Sequence, residues 1–236
     1  MDTSAAQGSI ALLDGDHLLA HHTFQDSAGH AVLLPQRCRQ LLDAAGWQPK
    51  AVQLLAICNG PGAFAGLRIA FAFAQGFSLA HQIPIVGLST LDLLAAQCPP
   101  ESDWISVLVD ARRNEIFAAL YQQVNQQPLL RYAPGSALAP HKWLDALQHW
   151  DWPDGARLTV TGNALHAYPA LTHHDAWPLP CQSSDPLLWP VDPVRLGQLA
   201  QHKWQQLPEP KALLTTLLDY QRRPDAEPPA ALKRSS

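Results

Sequence analysis

Charge is scarce in this sequence: Asp, Glu, Lys and Arg make up 15% of its 236 residues, a thin coat for a soluble monomer. Some weakly charged surface is therefore expected to lie under a partner. Positive charge is scarcer still. Lys plus Arg total 16 against 20 Asp plus Glu, a net charge of -4, and the pI is near 6.2. This argues against autonomous nucleic-acid binding, because phosphate recognition needs a basic footprint. Cysteine is sparse and scattered: Cys38, Cys58, Cys98 and Cys181 form no C-x-x-C pair. Neither a zinc knuckle nor a disulfide framework is indicated, and a reducing cytoplasm fits best. No run approaches the roughly 18 uninterrupted apolar residues of a membrane helix, and no basic-then-apolar leader follows Met1. A soluble, cytoplasmic protein is expected.

What is present is a large apolar supply, 47% of residues, enough for one large domain or two small lobes. Ser9 to Leu13, the Asp14-Gly15-Asp16 turn and Leu18 to Phe24 read as an opening hairpin. His30 to Ala45 carries Leu33, Leu34, Leu41 and Leu42 at helical spacing. Gly46 stands where a left-handed cap would close that helix, and Pro35 is expected in its first turn. Ala51 to Cys58 and Ile83 to Gly87 read as buried strands. Between them come a Gly/Pro loop, Asn59 to Ala65, and a helix, Gly66 to His81, so the unit is a parallel β-α-β. Ser89 or Thr90 can cap a helix to about Gln97, and Cys98 to Ser102 breaks the pattern.

The second half repeats the order. Trp104 to Val109 and Glu115 to Tyr121 are strands around the polar turn Asp110 to Asn114. Helices follow at His141 to His149 and Val194 to Gln206, with a strand at Leu158 to Thr161 before the Gly162-Asn163 turn. The expectation is α/β throughout: an N-terminal lobe over 1–100, a C-terminal lobe over 101–207, and a Pro-rich tail over 208–236. No repeat exists at the level of residue identity.

The sharpest motif, Asn59-Gly60-Pro61-Gly62-Ala63-Phe64-Ala65-Gly66-Leu67-Arg68, lies between strand and helix, where amides and the helix dipole could hold an anion. Its G-x-G-x-x-x-G spacing misses the dinucleotide fingerprint and no Lys-Ser/Thr pair follows, so a structural turn is favoured over a nucleotide site. The helix after it is apolar on nearly every face, with Arg68, Gln75 and Ser78 its only clearly polar side chains. Such a helix must be covered on two sides, either within one large domain or by a partner. Ala72, Gly76 and Ala80 recur every four residues and permit close approach of a facing helix.

Eleven histidines invite a metal site, but His17 and His21 fall on a strand, about 13 Å apart, too far for joint ligation. His173-His174 reads equally as surface. There is no Gly-x-Ser-x-Gly elbow. Asp110 and Glu115 could be a carboxylate pair, yet they read better as a hairpin tip kept ionised by Arg112 and Arg113.

The segment Cys58 to Ile69 closely resembles the G-P-G-S-F-T-G-x-R motif of the TsaB (YeaZ) family. Ile83-Pro84-Ile85-Val86-Gly87-Leu88-Ser89-Thr90-Leu91 resembles its P-x-x-G-V-S-T-L segment, and Asp110-Ala111-Arg112-Arg113-Asn114-Glu115-Ile116-Phe117 its D-A-R-x-x-E-V-Y. Asp2-Thr3-Ser4, the Thr161-Gly162-Asn163-Ala164 turn, Pro193 and Tyr220-Gln221-Arg222 extend the likeness over most of the chain.

The resemblance implies an actin-like, sugar-kinase-like two-lobe α/β fold and a non-catalytic role in making threonylcarbamoyladenosine in tRNA, with no cofactor. It implies pairing with the catalytic subunit TsaD through the helices His30 to Ala45 and Gly66 to His81. It also implies contact with the ATPase TsaE through that pair, self-pairing when TsaD is absent, and only indirect contact with tRNA. The residues carried onto this partner surface are Leu34, Pro61, Phe64, Arg68, Phe71, Ala72, Gln75 and Gly76. An actin-like small-molecule kinase or a peptidase-like hydrolase is the rival reading, since fold alone does not fix function.

Two departures stand out. Ala63 and Ala65 replace the family's Ser and Thr, removing hydroxyls that could touch a phosphate. Family members also place a buried strand before D-T-S, so the fold is expected with the first strand of the N-lobe missing from this sequence. Met1 is then expected to be an internal methionine of a longer protein, which the intact mass of the native protein would test.

Overall fold

The computed structural model describes residues 1–25, 29–208, 217–219 and 221. The opening hairpin forms as its alternation predicts: β1 (Gln7–Asp14) pairs antiparallel with β2 (His17–Gln25). α1 (His30–Ala45) follows and ends at Gly46, whose φ of 68° is the left-handed cap. Gly46 N–H bonds the Asp43 carbonyl at 3.1 Å and Trp47 N–H that of Leu42 at 2.9 Å, closing the last turn. Pro35 lies one turn later than expected, inside the helix. Gly29 is the cap residue, and its carbonyl already accepts from Val32 and Leu33 at 3.0 and 3.2 Å.

The next strand is displaced along the sequence. Pro49–Ala51 closes a 3-10 turn, so β3 runs over Leu55–Gly60 instead of starting at Ala51. α2 (Phe64–His81) begins two residues before the expected Gly66, and β4 (Ile85–Ser89) pairs parallel with β3 to complete the β-α-β unit. α3 (Thr90–Ala96) is capped by Ser89, whose hydroxyl accepts from the amides of Leu91 and Asp92 at 3.2 and 3.4 Å. Ser89→Ala is expected to lower stability by about 1 kcal/mol, read as a lowered urea midpoint with an unchanged slope.

The second half is one five-stranded sheet in the order β7-β6-β5-β8-β9. It comprises β5 (Trp104–Arg112), β6 (Glu115–Val124), β7 (Gln127–Tyr132), β8 (Leu158–Thr161) and β9 (Cys181–Ser183). β5-β6 and β6-β7 are antiparallel, while β5-β8 and β8-β9 are parallel. α4 (Pro140–Gln148) packs on β6, α5 (Ala164–Ala167) on β5, and α6 (Pro193–Gln206) closes the described fold.

α6 is not confined to the half in which the sequence places it. It lies on β1, β3 and β4, tied there by Lys203 Nζ donating to the Gly87 carbonyl at 3.0 Å. Gln97, just past α3, donates to the carbonyls of Leu188 and Pro190 and accepts from Asp192 N–H at 2.9 Å, which fixes where α6 starts. The core follows this crossing. One buried cluster runs from Cys58 through Leu91, Leu94, Ile105 and Val107 to Leu196 and so joins both halves. Tyr121 of β6 adds a polar tie, donating to Asp92 of α3 at 2.7 Å. Most of the tail assigned to 208–236 lies outside the described residues, as do Tyr220 and Arg222.

Candidate functional site

Backbone crossing explains the glycine-rich motif. Residues Thr3 and Ser4 run directly over the turn between β3 and α2. Ala63 N–H donates to the Ser4 carbonyl at 2.7 Å, and the Thr3 hydroxyl donates to the Gly66 carbonyl at 2.7 Å. A Cβ on Gly66 would run into the Thr3 carbonyl, and one on Gly62 would stand 2.8 Å from Ser4 Cβ. The glycines are therefore spaced for close approach of two backbones. The loop is a structural turn braced by Asp2-Thr3-Ser4, and Asp2 Oδ1 holds Ser4 N–H at 2.8 Å.

Beyond this turn α2 divides into two faces. Gly66, Leu67, Ala70, Ala74 and Ser78 are buried against the strands. On the opposite side Phe64, Arg68, Ala72, Gln75 and Gly76 are exposed and Phe71 is half-buried. Phe64 is 44% exposed, with the Arg68 guanidinium 3.8 Å over its ring, a contact that orders both side chains. Six of the eight residues singled out in the sequence thus share one strip. Leu34 and Pro61 do not join it: both are buried, Leu34 completely, in the core under α1 and beneath the turn. Leu79, 77% exposed, and Val32 of α1, 54% exposed, add apolar surface that sequence reasoning missed. The signal for Leu79 was present, since it continues the spacing Arg68, Ala72, Gln75 by one turn.

A cleft of about 540 Å³ lies between β1 and β3, and a larger one of about 1010 Å³ lies where the two halves meet. The larger is lined by Ser4–Ala6, by Gly62–Arg68 without Gly66, and by the β5-β6 turn with His166 and Asp219. That turn holds Arg112, Arg113 and Asn114 in successive left-handed conformations. Asp110 anchors it, accepting Arg112 N–H at 2.8 Å and facing Arg112 Nη1 at 3.4 Å. Asn163 Oδ1 in turn accepts Asp110 N–H at 2.9 Å. Burial, followed by the nearby Asp110 carboxylate, pushes the Tyr168 phenol above its usual range. Asp110, Arg112 and Arg113 shape a polar hairpin tip, as the sequence suggests. Among the described residues no three His, Cys, Asp or Glu side chains gather into a metal-holding group, and no helix is long and apolar enough to cross a membrane.

Two α/β halves meeting at a cleft define a protein of the actin-like two-lobe class, as the comparisons with known proteins bear out. The family model described as TsaD, tRNA N6-adenosine threonylcarbamoyltransferase, matches residues 18–166. A Bacillus subtilis protein named tRNA threonylcarbamoyladenosine biosynthesis protein TsaB is 30% identical over 65% of this chain and 66% of its own. The Escherichia coli protein of the same name is 31% identical over 52% of this chain and 54% of its own. The solved structure of YeaZ from Pseudomonas aeruginosa superposes with a TM-score of 0.68 at 27% identity, covering 87% of this chain and 90% of that one. The chain belongs to this TsaD-type family, among its TsaB (YeaZ) members. The matched region spans between about half and two thirds of the length of these two curated relatives.

Proposed function

We propose that this chain is a non-catalytic scaffold subunit that pairs with a TsaD-type catalytic subunit during threonylcarbamoyl transfer to adenosine of tRNA. The observation that carries the reading is the strip on α2 in which Phe64, Arg68, Ala72, Gln75 and Gly76 are exposed and Phe71 is half-buried. Its small residues admit a facing helix at short distance, and Phe64 with Arg68 supplies the aromatic and guanidinium pair typical of energetic anchors. An acidic net charge supports assigning the tRNA contact to the partner. On this reading the same strip pairs two copies when the catalytic subunit is absent, a TsaE-type ATPase joins through the heterodimer, and the assembly works in the cytoplasm.

Light scattering on a sizing column, with the chain alone and mixed with the TsaD subunit of the same organism, tests this. A one-to-one complex that replaces any self-pair is expected. Gly76→Glu and Ala72→Glu should weaken it at least about 100-fold, because a charge would be buried without a counter-ion in a close helix contact. A Cβ at Gly76 meets nothing within 4 Å in the free chain. The helix there gains up to about 1 kcal/mol on replacing glycine, so Tm should hold or rise while pairing is lost. Undiminished pairing by both variants would overturn the assignment of the strip.

A further inference from the structure

Residues 217–221 touch both halves of the molecule within a few positions of each other. Asp219 N–H donates to the Asn59 carbonyl at 2.7 Å, and Asn59 Nδ2 donates to the Leu217 carbonyl at 3.1 Å, so one residue near the end of β3 grips the segment twice. Two residues on, the Gln221 carbonyl accepts Ala137 N–H at 3.2 Å. Ala137 belongs to the second half: its neighbour Leu138 exchanges both backbone bonds with Ile116 of β6, at 2.8 and 3.0 Å. Gln221 Nε2 also donates to Asp219 Oδ2 at 2.8 Å, which braces the two anchor points against each other.

The seat is shaped for this segment. Gly60 has a φ of 117°, and a Cβ there would run into the Asp219 carbonyl, so a further glycine of the motif admits a crossing backbone. Asp219 and Gln221 line the larger cleft of about 1010 Å³, whose other walls include Ser4–Ala6 and the start of α2 from the first half and the β5-β6 turn with Asn163 from the second. Two residues of extended chain reach at most about 7 Å. Bonds from Asp219 to Asn59 and from Gln221 to Ala137 therefore hold the two halves at one separation along that cleft.

The tie is thin. Leu217 is 78% exposed, Leu218, Asp219 and Gln221 are half-buried, and none of the four belongs to a buried core cluster. Elsewhere the halves are joined by packing, through the buried cluster that runs from Cys58 to Leu196. Segments with few buried apolar contacts open at lower free energy than the core they lie on, so the tie can leave while the core stays packed. A packed core beside a detachable tie has the parts of a hinge and its catch.

We propose that Leu217–Asp219 and Gln221 form a strap that sets the width of the larger cleft. Seated, the strap ties Asn59 to Ala137 and keeps the cleft narrow. Released, it leaves the shared core as the hinge, and the walls carrying Ala65 of α2 and Ala167 of α5 move apart. The bond from Asp219 N–H to Asn59 decides between the two states, because it is the shorter of the two backbone bonds and the Asp219 carbonyl is the atom seated over Gly60. Phe64 and Arg68 line the same cleft and head the strip assigned to pairing, so release of the strap shifts that strip relative to the second half. The strap itself does not depend on that pairing.

The test uses the full chain with spin labels at Ala65→Cys and Ala167→Cys, two exposed positions on the cleft wall, one in each half. Half-buried Cys38 is replaced by serine, and the other three cysteines are buried. Pulsed electron spin resonance is expected to read one narrow distance distribution. Asp219→Pro, which removes the N–H given to Asn59, should shift that distribution to longer distance and broaden it at least about two-fold. Hydrogen exchange at the Ala137 amide should quicken at least about 10-fold in the same variant. Asn59→Ala, which removes the bond to Leu217 and keeps every backbone group, should move the distance the same way by less. Asp219→Ala keeps the N–H and should stay narrow. An unchanged distribution in both Asp219→Pro and Asn59→Ala, or unchanged Ala137 exchange in Asp219→Pro, would overturn the proposal. Equal broadening by Asp219→Ala would overturn the assignment of the catch to the backbone bond. None of these readouts needs a partner subunit, so they stand apart from the pairing experiment.

Discussion

Gly66→Ala is expected to lower the unfolding free energy by about 2 kcal/mol or more, although alanine is the better helix former by about 1 kcal/mol. The opposing effect is larger because the new Cβ would run into the Thr3 carbonyl, a backbone atom that cannot swing aside. Thr3 is held on its other flanks by the Asp2 ladder bonds to Ser9 and by the Ser4 carbonyl bond to Ala63. Relief requires pulling the Asp2-Thr3-Ser4 segment off the turn, which also loses the Thr3 hydroxyl bond to Gly66, about 1 kcal/mol. Urea denaturation of the variant would measure this. A midpoint equal to or above that of the parent would show that the two backbones are not in contact there.

Trp143→Ala is expected to cost about 3–5 kcal/mol and to loosen the second half more than the first. Trp143 is the largest fully buried side chain, carried by α4 onto the sheet face of Leu108, Ile116 and Leu120. Its ring stacks on Tyr132 with centroids 5.7 Å apart, and its indole N–H donates to the Ser106 hydroxyl at 2.9 Å. Removing the indole leaves a cavity and a buried hydroxyl without its donor, two costs that add. Trp143→Phe should recover most of the packing and lose only the hydrogen bond, about 1–2 kcal/mol. Calorimetry of the pair separates the two contributions. Equal Tm values for Trp143→Ala and the parent would contradict the packing.

These two sites differ in how far they could be read beforehand. The turn at Gly66 lies in a motif whose spacing marks it at once, but whether its glycines serve an anion or a crossing backbone depends on Thr3 and Ser4. Those residues are some 60 positions away in sequence. Trp143 sits in a helix legible from its apolar spacing, while its partners Ser106 and Tyr132 lie on strands that pattern alone cannot bring beside it. β7 escaped notice because its residues are mostly exposed and lack alternation. β9, of three residues, is too short to carry any period.

The candidate strip was legible in part. The apolar character of α2 pointed to a second face away from the strands, and six of the eight chosen residues share that face, five of them exposed. Leu34 and Pro61 do not, since Leu34 is the core-facing side of α1 and Pro61 is buried in the turn before α2.

By itself the sequence determined the local elements: the two hairpins, the parallel β-α-β unit, the Gly46 cap, a cap for α3 at Ser89 or Thr90, and the apolar helix. Each rests on interactions within about a dozen residues, where propensity, periodicity and turn chemistry act. Tertiary structure alone decided that α6 crosses to the first half and that the glycine motif serves Thr3 and Ser4. Those outcomes depend on contacts between residues far apart in the chain, which the order of residues along it does not encode locally.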